Sequence, residues 1–395
     1  MTSLLLPNRD GSVEEYRFRG TPIARPEAVP SFSRVAYAAA HVVSNPLDDA
    51  DPWGNPAIDW DATMAFRRHL WSLGFKIAEA MDTAQRGMGL SWAGAQELIR
   101  RSLAEARSVP GADLACGAGT DQLAPADARS VEDVIAAYEE QIGFVEAEGG
   151  RAIMMASRAL GRVARSADDY RRVYGRILSQ AKDKVVLHWL GDMFDPQLRG
   201  YWGSENFEEA LETVLSIVRE NSARVEGIKI SLLDNGKEVR LRDGLPEGVL
   251  CFTGDDFNYA ELIEGDGEKY SHALLGIFDA VAPSASKALA ALAAGDVATF
   301  RGVIEPTVPL SRKIFEAPTQ YYKAGVVFLA WLNGHQRHFT LPAGLQSARG
   351  LLHYAEIFRL ADQANVLDEP ELASTRMRNL LAVLGVEQGG RHYNF

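Results

Sequence analysis

Val35-Ala36-Tyr37-Ala38-Ala39-Ala40-His41-Val42-Val43-Ser44-Asn45-Pro46 is the stretch that separates the two ways an alternating α/β chain can be built. It reads as an apolar strand followed by a turn, and the turn contains no glycine. An open doubly wound sheet places a Gly-rich phosphate turn directly after its first strand. The later Gly117-Ala118-Gly119 is only a fragment of that fingerprint. The stretch therefore argues for a closed barrel.

Outward from this strand the same unit recurs. Apolar or β-branched runs lie at 35–43, 75–80, 112–117, 152–156, 185–190, 225–231, 249–253 and 270–277. Helical periodicity fills most of the gaps: Phe66, Leu70 and Leu73 before Gly74, then Val131, Val134, Ile135, Tyr138 and Ile142 behind Ser130. Eight β–α units, each needing a right-handed crossover, predict a (β/α)8 TIM barrel over 31–284. Residues 1–30 are Pro- and Arg-rich and read as an N-terminal extension. Residues 285–395 are Ala/Leu-rich and helical, more than a barrel needs, and are expected to pack on it as a C-terminal helical region.

Composition narrows the function class. Hydrophobic residues make up 47% and charged residues 24%, enough for a full-sized core. The 41 basic and 53 acidic groups leave a net charge of −12. That charge repels phosphate backbones and anionic lipid, and no basic stripe offsets it. No nucleic acid and no membrane partner is expected. The longest apolar run, 324–332, is about half a membrane span. Cys116 and Cys251 fit neither a disulfide framework nor a CxxC site, and a cytoplasmic location is the default expectation.

Catalytic groups in such barrels project from the C-terminal ends of the strands. In Val225-Glu226-Gly227-Ile228-Lys229-Ile230-Ser231 the period of two puts Ile228 and Ile230 on the helix-facing side, with Gly227, Lys229 and Ser231 toward the barrel axis. An amine there is desolvated, its pKa falls, and its neutral form can attack a carbonyl. The alternatives for Lys229 are a buried ion pair or a one-residue slip in register.

Gly227-Ile228-Lys229, followed by Thr253-Gly254-Asp255-Asp256 and then by residues 265–271 leading into the eighth strand, resembles the dihydrodipicolinate synthase and N-acetylneuraminate lyase superfamily. The resemblance spans about residues 35–340 and takes in Gly295-Asp296 and Lys323. It implies a Schiff-base lyase or aldolase in which Lys229 forms an imine with a 2-oxo acid or sugar-derived carbonyl. It also implies a homo-oligomer, dimer or tetramer, and no cofactor.

Other positions depart from the family. Its Gly-Thr-Thr-Gly-Glu loop stands here as Asp82-Thr83-Ala84-Gln85-Arg86-Gly87, where only Thr83 matches. Its Pro-Tyr-Tyr is replaced by Met155-Ala156-Ser157-Arg158, without the proton-shuttling tyrosine, and its Tyr-Asn-x-Pro by His188-Trp189-Leu190-Gly191. The substitutes expected are His188 for proton transfer, since an ordinary imidazole titrates near neutrality. Thr83, Arg86, Ser157, Arg158 and Asp255 are expected to bind substrate; Asp82, Asp255 and Asp256 lie just past strands two and seven, where a carboxylate can anchor sugar hydroxyls or act as a base, with a cap on the following helix as the alternative, above all for Asp256. Two rival readings stay open: a metal-dependent aldolase or isomerase using His41, His188 and His272, and a barrel that binds a small ligand without turnover. A polar group beside Lys229 would count against the latter.

Overall fold

The computed structural model describes residues 3–54 and 56–386. Residues 387–395 of the expected C-terminal region lie outside them. A hairpin of β1 (Ser3–Pro7) and β2 (Val13–Arg17) precedes β3 (Ala36–Ala39), β4 (Lys76–Glu79), β5 (Leu114–Ala118), β6 (Arg151–Met154), β7 (Val185–Leu190), β8 (Val225–Ser231), β9 (Leu250–Thr253) and β10 (His272–Leu275). The last eight are parallel and close into a barrel in the order β3 to β10, with β10 returning to β3. The protein is a (β/α)8 barrel with further α-helices after the eighth strand.

Strand alternation divides the core in two. Tyr37, Ala39, Ala78, Ala115, Ile153, Val186, Phe252 and Leu274 point inward and form a small interior cluster. Ile77, Leu114, Cys116, Leu187, Ile228 and Ile230 point outward into the larger layer shared with the helices. Gly227 is required by this packing: a Cβ there would lie 2.5 Å from the Leu250 carbonyl oxygen and 2.6 Å from the Phe252 ring. The helices begin on side-chain caps, as at Ser130, whose hydroxyl accepts from Asp133 N–H while the Asp133 carboxylate accepts from Ser130 N–H.

Glu79 faces outward and is buried with Arg67 from the helix Trp60–Ser72, at 2.8 and 2.9 Å. Ser102 and Ala80 N–H donate to the same carboxylate at 2.6 and 2.8 Å. Within residues 1–30, read as an N-terminal extension, β1 and β2 form this hairpin. Asn8 and Ser12 close its turn around Gly11, which adopts φ +83°. The Tyr16 hydroxyl donates to Asp362 at 2.7 Å, tying the hairpin to the helix Leu351–Gln363. Among the described residues no helix is long and apolar enough to cross a membrane.

Candidate active site

A cavity of about 310 Å³ opens at the C-terminal ends of the strands, bordered by Asp82, Arg86, Thr120, Arg158, His188 and Asp195. The volume lies at the lower end of the range for small-molecule sites.

Lys229 and His188 are register partners on β8 and β7. Lys229 keeps 8% of its surface, and among the described residues its Nζ makes no hydrogen bond and no ion pair. Burial lowers its pKa, opposed first by the charge of Asp256 and then by that of Asp82. Gly254 leaves the space the lysine needs, since a Cβ there would stand 2.7 Å from Lys229 Cε and 2.1 Å from Ser231 Oγ.

His188 is fully buried, with Nε2 3.2 Å from Ser231 Oγ and Nδ1 unpartnered. Burial, and next the neighbouring Lys229 charge, push its pKa well below the ordinary imidazole value. The side chain expected to transfer a proton is therefore an imidazole whose neutral form is favoured by burial. The sequence pattern located the side chain, but the desolvation that decides its protonation depends on the closed barrel.

The loop after β4 is held rigidly. All five Arg86 donors are engaged: Nε and Nη2 by Asp121, Nη2 also by Gln141 at 2.9 Å, and Nη1 by the carbonyls of Ala80 and Gly117. Arg86 therefore borders the cavity without a donor to spare, against the expectation that it binds substrate. Thr83 is also occupied, its hydroxyl 2.8 Å from the Tyr322 hydroxyl. Tyr322 stacks on Phe315 at 4.3 Å, so the C-terminal helical region reaches the active-site loop. Ser157 caps the helix Arg158–Val163 by accepting from Leu160 N–H, and its hydroxyl lies 2.6 Å from that of Thr120. Of the expected substrate-binding groups, Arg158 stays the most available: its Nε donates to Asp195, while Nη1 lies over Gly87 at the cavity edge.

Asp255 and Asp256 lie in different surroundings. Asp255 accepts from Phe257 N–H at 2.8 Å, Asn258 N–H at 3.0 Å and the Asn258 amide at 2.8 Å, and so shapes the turn into the helix Tyr259–Glu264. Asp256 accepts from Ile277 N–H at 2.9 Å, and burial raises its pKa to about 7, with Lys229 acting in the opposite direction. Asp256 is thus the buried counter-charge of Lys229. Alternation could not assign the pair because β9 ends at Thr253.

The resemblance takes in Lys323 without giving it a role, and Tyr201 was not expected. Lys323, at the start of the helix Lys323–Leu332, is buried and donates to the Gln320 carbonyl at 3.1 Å. Burial lowers its pKa to about 8, with Asp82 raising it and Arg158 lowering it further. Tyr201 lies behind Ser157 and accepts from its N–H at 3.0 Å, and its hydroxyl is 3.0 Å from that of Tyr174.

The three histidines of the metal reading do not converge. His41 Nδ1 contacts Asp279 at 2.8 Å, His272 Nδ1 accepts from Val35 N–H at 2.8 Å, and His188 faces the cavity. Among the described residues no group of three His, Cys, Asp or Glu side chains is placed to hold a metal ion.

Comparison with known proteins gives three findings. Solved structures share the fold. A putative dihydrodipicolinate synthetase from Pseudomonas aeruginosa is 16% identical, with a TM-score of 0.58, covering 82% of this chain and 100% of its own. YagE, a prophage protein of the dihydrodipicolinic acid synthase family from E. coli K12, solved with pyruvate, is 12% identical, with a TM-score of 0.61, covering 90% and 100%. The chloride-inhibited dihydrodipicolinate synthase from Acinetobacter baumannii, also with pyruvate, is 15% identical, with a TM-score of 0.60, covering 84% and 99%. No curated protein matches the chain. The family described as "Protein of unknown function (DUF993)" matches residues 4–386, and the chain belongs to that family.

Proposed function

We propose that this protein is a class I lyase or aldolase-type enzyme that forms a Schiff base with a 2-oxo acid or a sugar-derived carbonyl compound. The observation that carries the reading is Lys229, a buried amine of lowered pKa without a hydrogen-bonding partner, at the C-terminal end of the sixth barrel strand. A lysine that is readily deprotonated is the nucleophile that imine chemistry requires. Asp256 is the buried carboxylate whose charge acts on the amine and favours its protonated form. His188 contributes a neutral imidazole beside the imine, hydrogen-bonded to Ser231. Arg158 offers a guanidinium at the cavity edge that suits a carboxylate.

The chemistry of the first steps follows. The neutral amine adds to the carbonyl carbon, the carbinolamine loses water, and the protonated imine then withdraws electrons from the adjacent carbon. A barrel that only binds ligand has no need of an unpaired buried amine, and His188 beside Lys229 counts against that reading. Pyruvate is the first compound to test, since two of the similar structures hold it. The test is borohydride reduction of the protein with pyruvate, 2-oxobutanoate, 2-oxoglutarate and a set of oxo sugars, read by intact mass. An adduct present in the wild type and absent in Lys229→Ala supports the reading. Absence of an adduct with every compound refutes it.

A further inference from the structure

An imine enzyme must also move a proton at the carbon next to the imine, and His188 is fully buried with its Nε2 engaged 3.2 Å from Ser231 Oγ. The groups around the cavity narrow the choice. Asp121 is tied to Arg86, and Asp195 to Arg158. Asp256 is buried and accepts from Ile277 N–H. The hydroxyls of Tyr174 and Tyr201 are spent on each other behind Ser157. Asp82 is different: it borders the cavity, it is partly exposed to it, and among the described residues its carboxylate makes no hydrogen bond and no ion pair.

We propose that Asp82 is the carboxylate that removes and returns the proton on the substrate carbon adjacent to the imine. The inference rests on the Schiff-base reading of Lys229. Asp82 begins the turn Asp82–Ala84 directly after β4, at the end of the barrel where substrate must sit. Its chain neighbours are fixed from both sides. Thr83 is held by Tyr322 of the C-terminal region, and Arg86 by Asp121, Gln141 and two carbonyls. The carboxylate is thus positioned by rigid neighbours while its own oxygens stay available, the arrangement a general base needs. Its charge also acts on the amines of both Lys229 and Lys323.

In the step assigned to it, the C–H bond next to the imine carbon breaks and its proton passes to an Asp82 oxygen. The bonding pair becomes the new C=C, and the imine π pair moves to nitrogen, giving the neutral enamine. The reverse step restores the imine. In D2O the returned particle is a deuteron, so the enzyme exchanges substrate hydrogen without needing a second substrate.

The experiment incubates wild type and Asp82→Asn with pyruvate, 2-oxobutanoate and 2-oxoglutarate in D2O. Loss of the C3 proton signal is followed by NMR, with borohydride trapping run in parallel. Removal of a general base is expected to slow exchange by about 100-fold or more. The inference predicts that Asp82→Asn traps imine to the wild-type extent while losing exchange. Full exchange in Asp82→Asn with imine still trapped overturns the assignment alone. No trapped imine in the wild type overturns the Schiff-base reading, and the proton step falls with it.

Discussion

Replacing Lys323 by methionine is expected to stabilise the protein at neutral pH, and by an amount that depends on pH in a defined way. The side chain is buried, and its pKa falls from 10.5 to about 8, chiefly through burial. Each pH unit between those values is worth about 1.4 kcal/mol, so keeping this ammonium charged in the folded protein costs about 3 kcal/mol at pH 7. Between pH 8 and 10.5 the unfolded chain binds more protons at this site than the folded one. Stability contributed by Lys323 therefore rises with pH through that window and is flat below it. Methionine is unbranched and one atom shorter, lies beside Met88 and has no charge to desolvate. Urea denaturation of wild type and Lys323→Met at pH 7 and pH 10.5 cancels all other titrating groups in the difference. The advantage of the variant should shrink by about 3 kcal/mol between the two pH values. A difference between the proteins that does not change with pH would refute the reasoning.

Three further outcomes are expected. Glu238 is buried with neither carboxylate oxygen partnered, and burial raises its pKa to about 8 from 4.5. Its contribution to stability is lost as pH rises through that window, so Glu238→Gln should be about 3 kcal/mol more stable than wild type at pH 7 and equal to it below pH 4.5, measured by chemical denaturation. Glu79→Gln leaves Arg67 charged and uncompensated behind β4 and should cost about 3–5 kcal/mol in the same assay; a loss under about 1 kcal/mol would contradict the buried pair. Gly254→Ala forces a methyl group to within 2.8 Å of the Ile230 carbonyl oxygen and against Lys229. It should cost about 1–3 kcal/mol and reduce imine trapping, and an unchanged thermal midpoint with full trapping would contradict the packing described.

The barrel was legible because each of its determinants is local. The period of two in residues 225–231 puts Ile228 and Ile230 toward the helices and leaves Lys229 on the axis side, and the Gly-free turn after residue 43 rejects the open sheet. The missing parts are those that depend on distant residues meeting. Thr83 and Arg86 carry suitable chemistry, but Tyr322, Asp121 and Gln141 consume it, and nothing near either residue in sequence announces those partners. His188 was given an ordinary imidazole pKa because burial beside a lysine exists only in the closed barrel. Asp255 and Asp256 follow the last residue of β9, where alternation stops predicting direction. The hairpin at residues 3–17 had a signal in Asp10-Gly11, a strong turn pair, but the surrounding Pro and Arg content obscured it.

The central claim is that Lys229, and not another amine, carries the imine. Lys323 is the natural rival, since it too is buried near the same loop and has a pKa near 8. The direct measurement is to reduce the protein with borohydride in the presence of pyruvate or whichever 2-oxo acid gives an adduct, digest it, and locate the modified lysine by mass spectrometry. The account predicts the reduced adduct on the peptide containing Lys229, with Lys323 unmodified. An adduct on Lys323, or one that persists in Lys229→Ala, would contradict it.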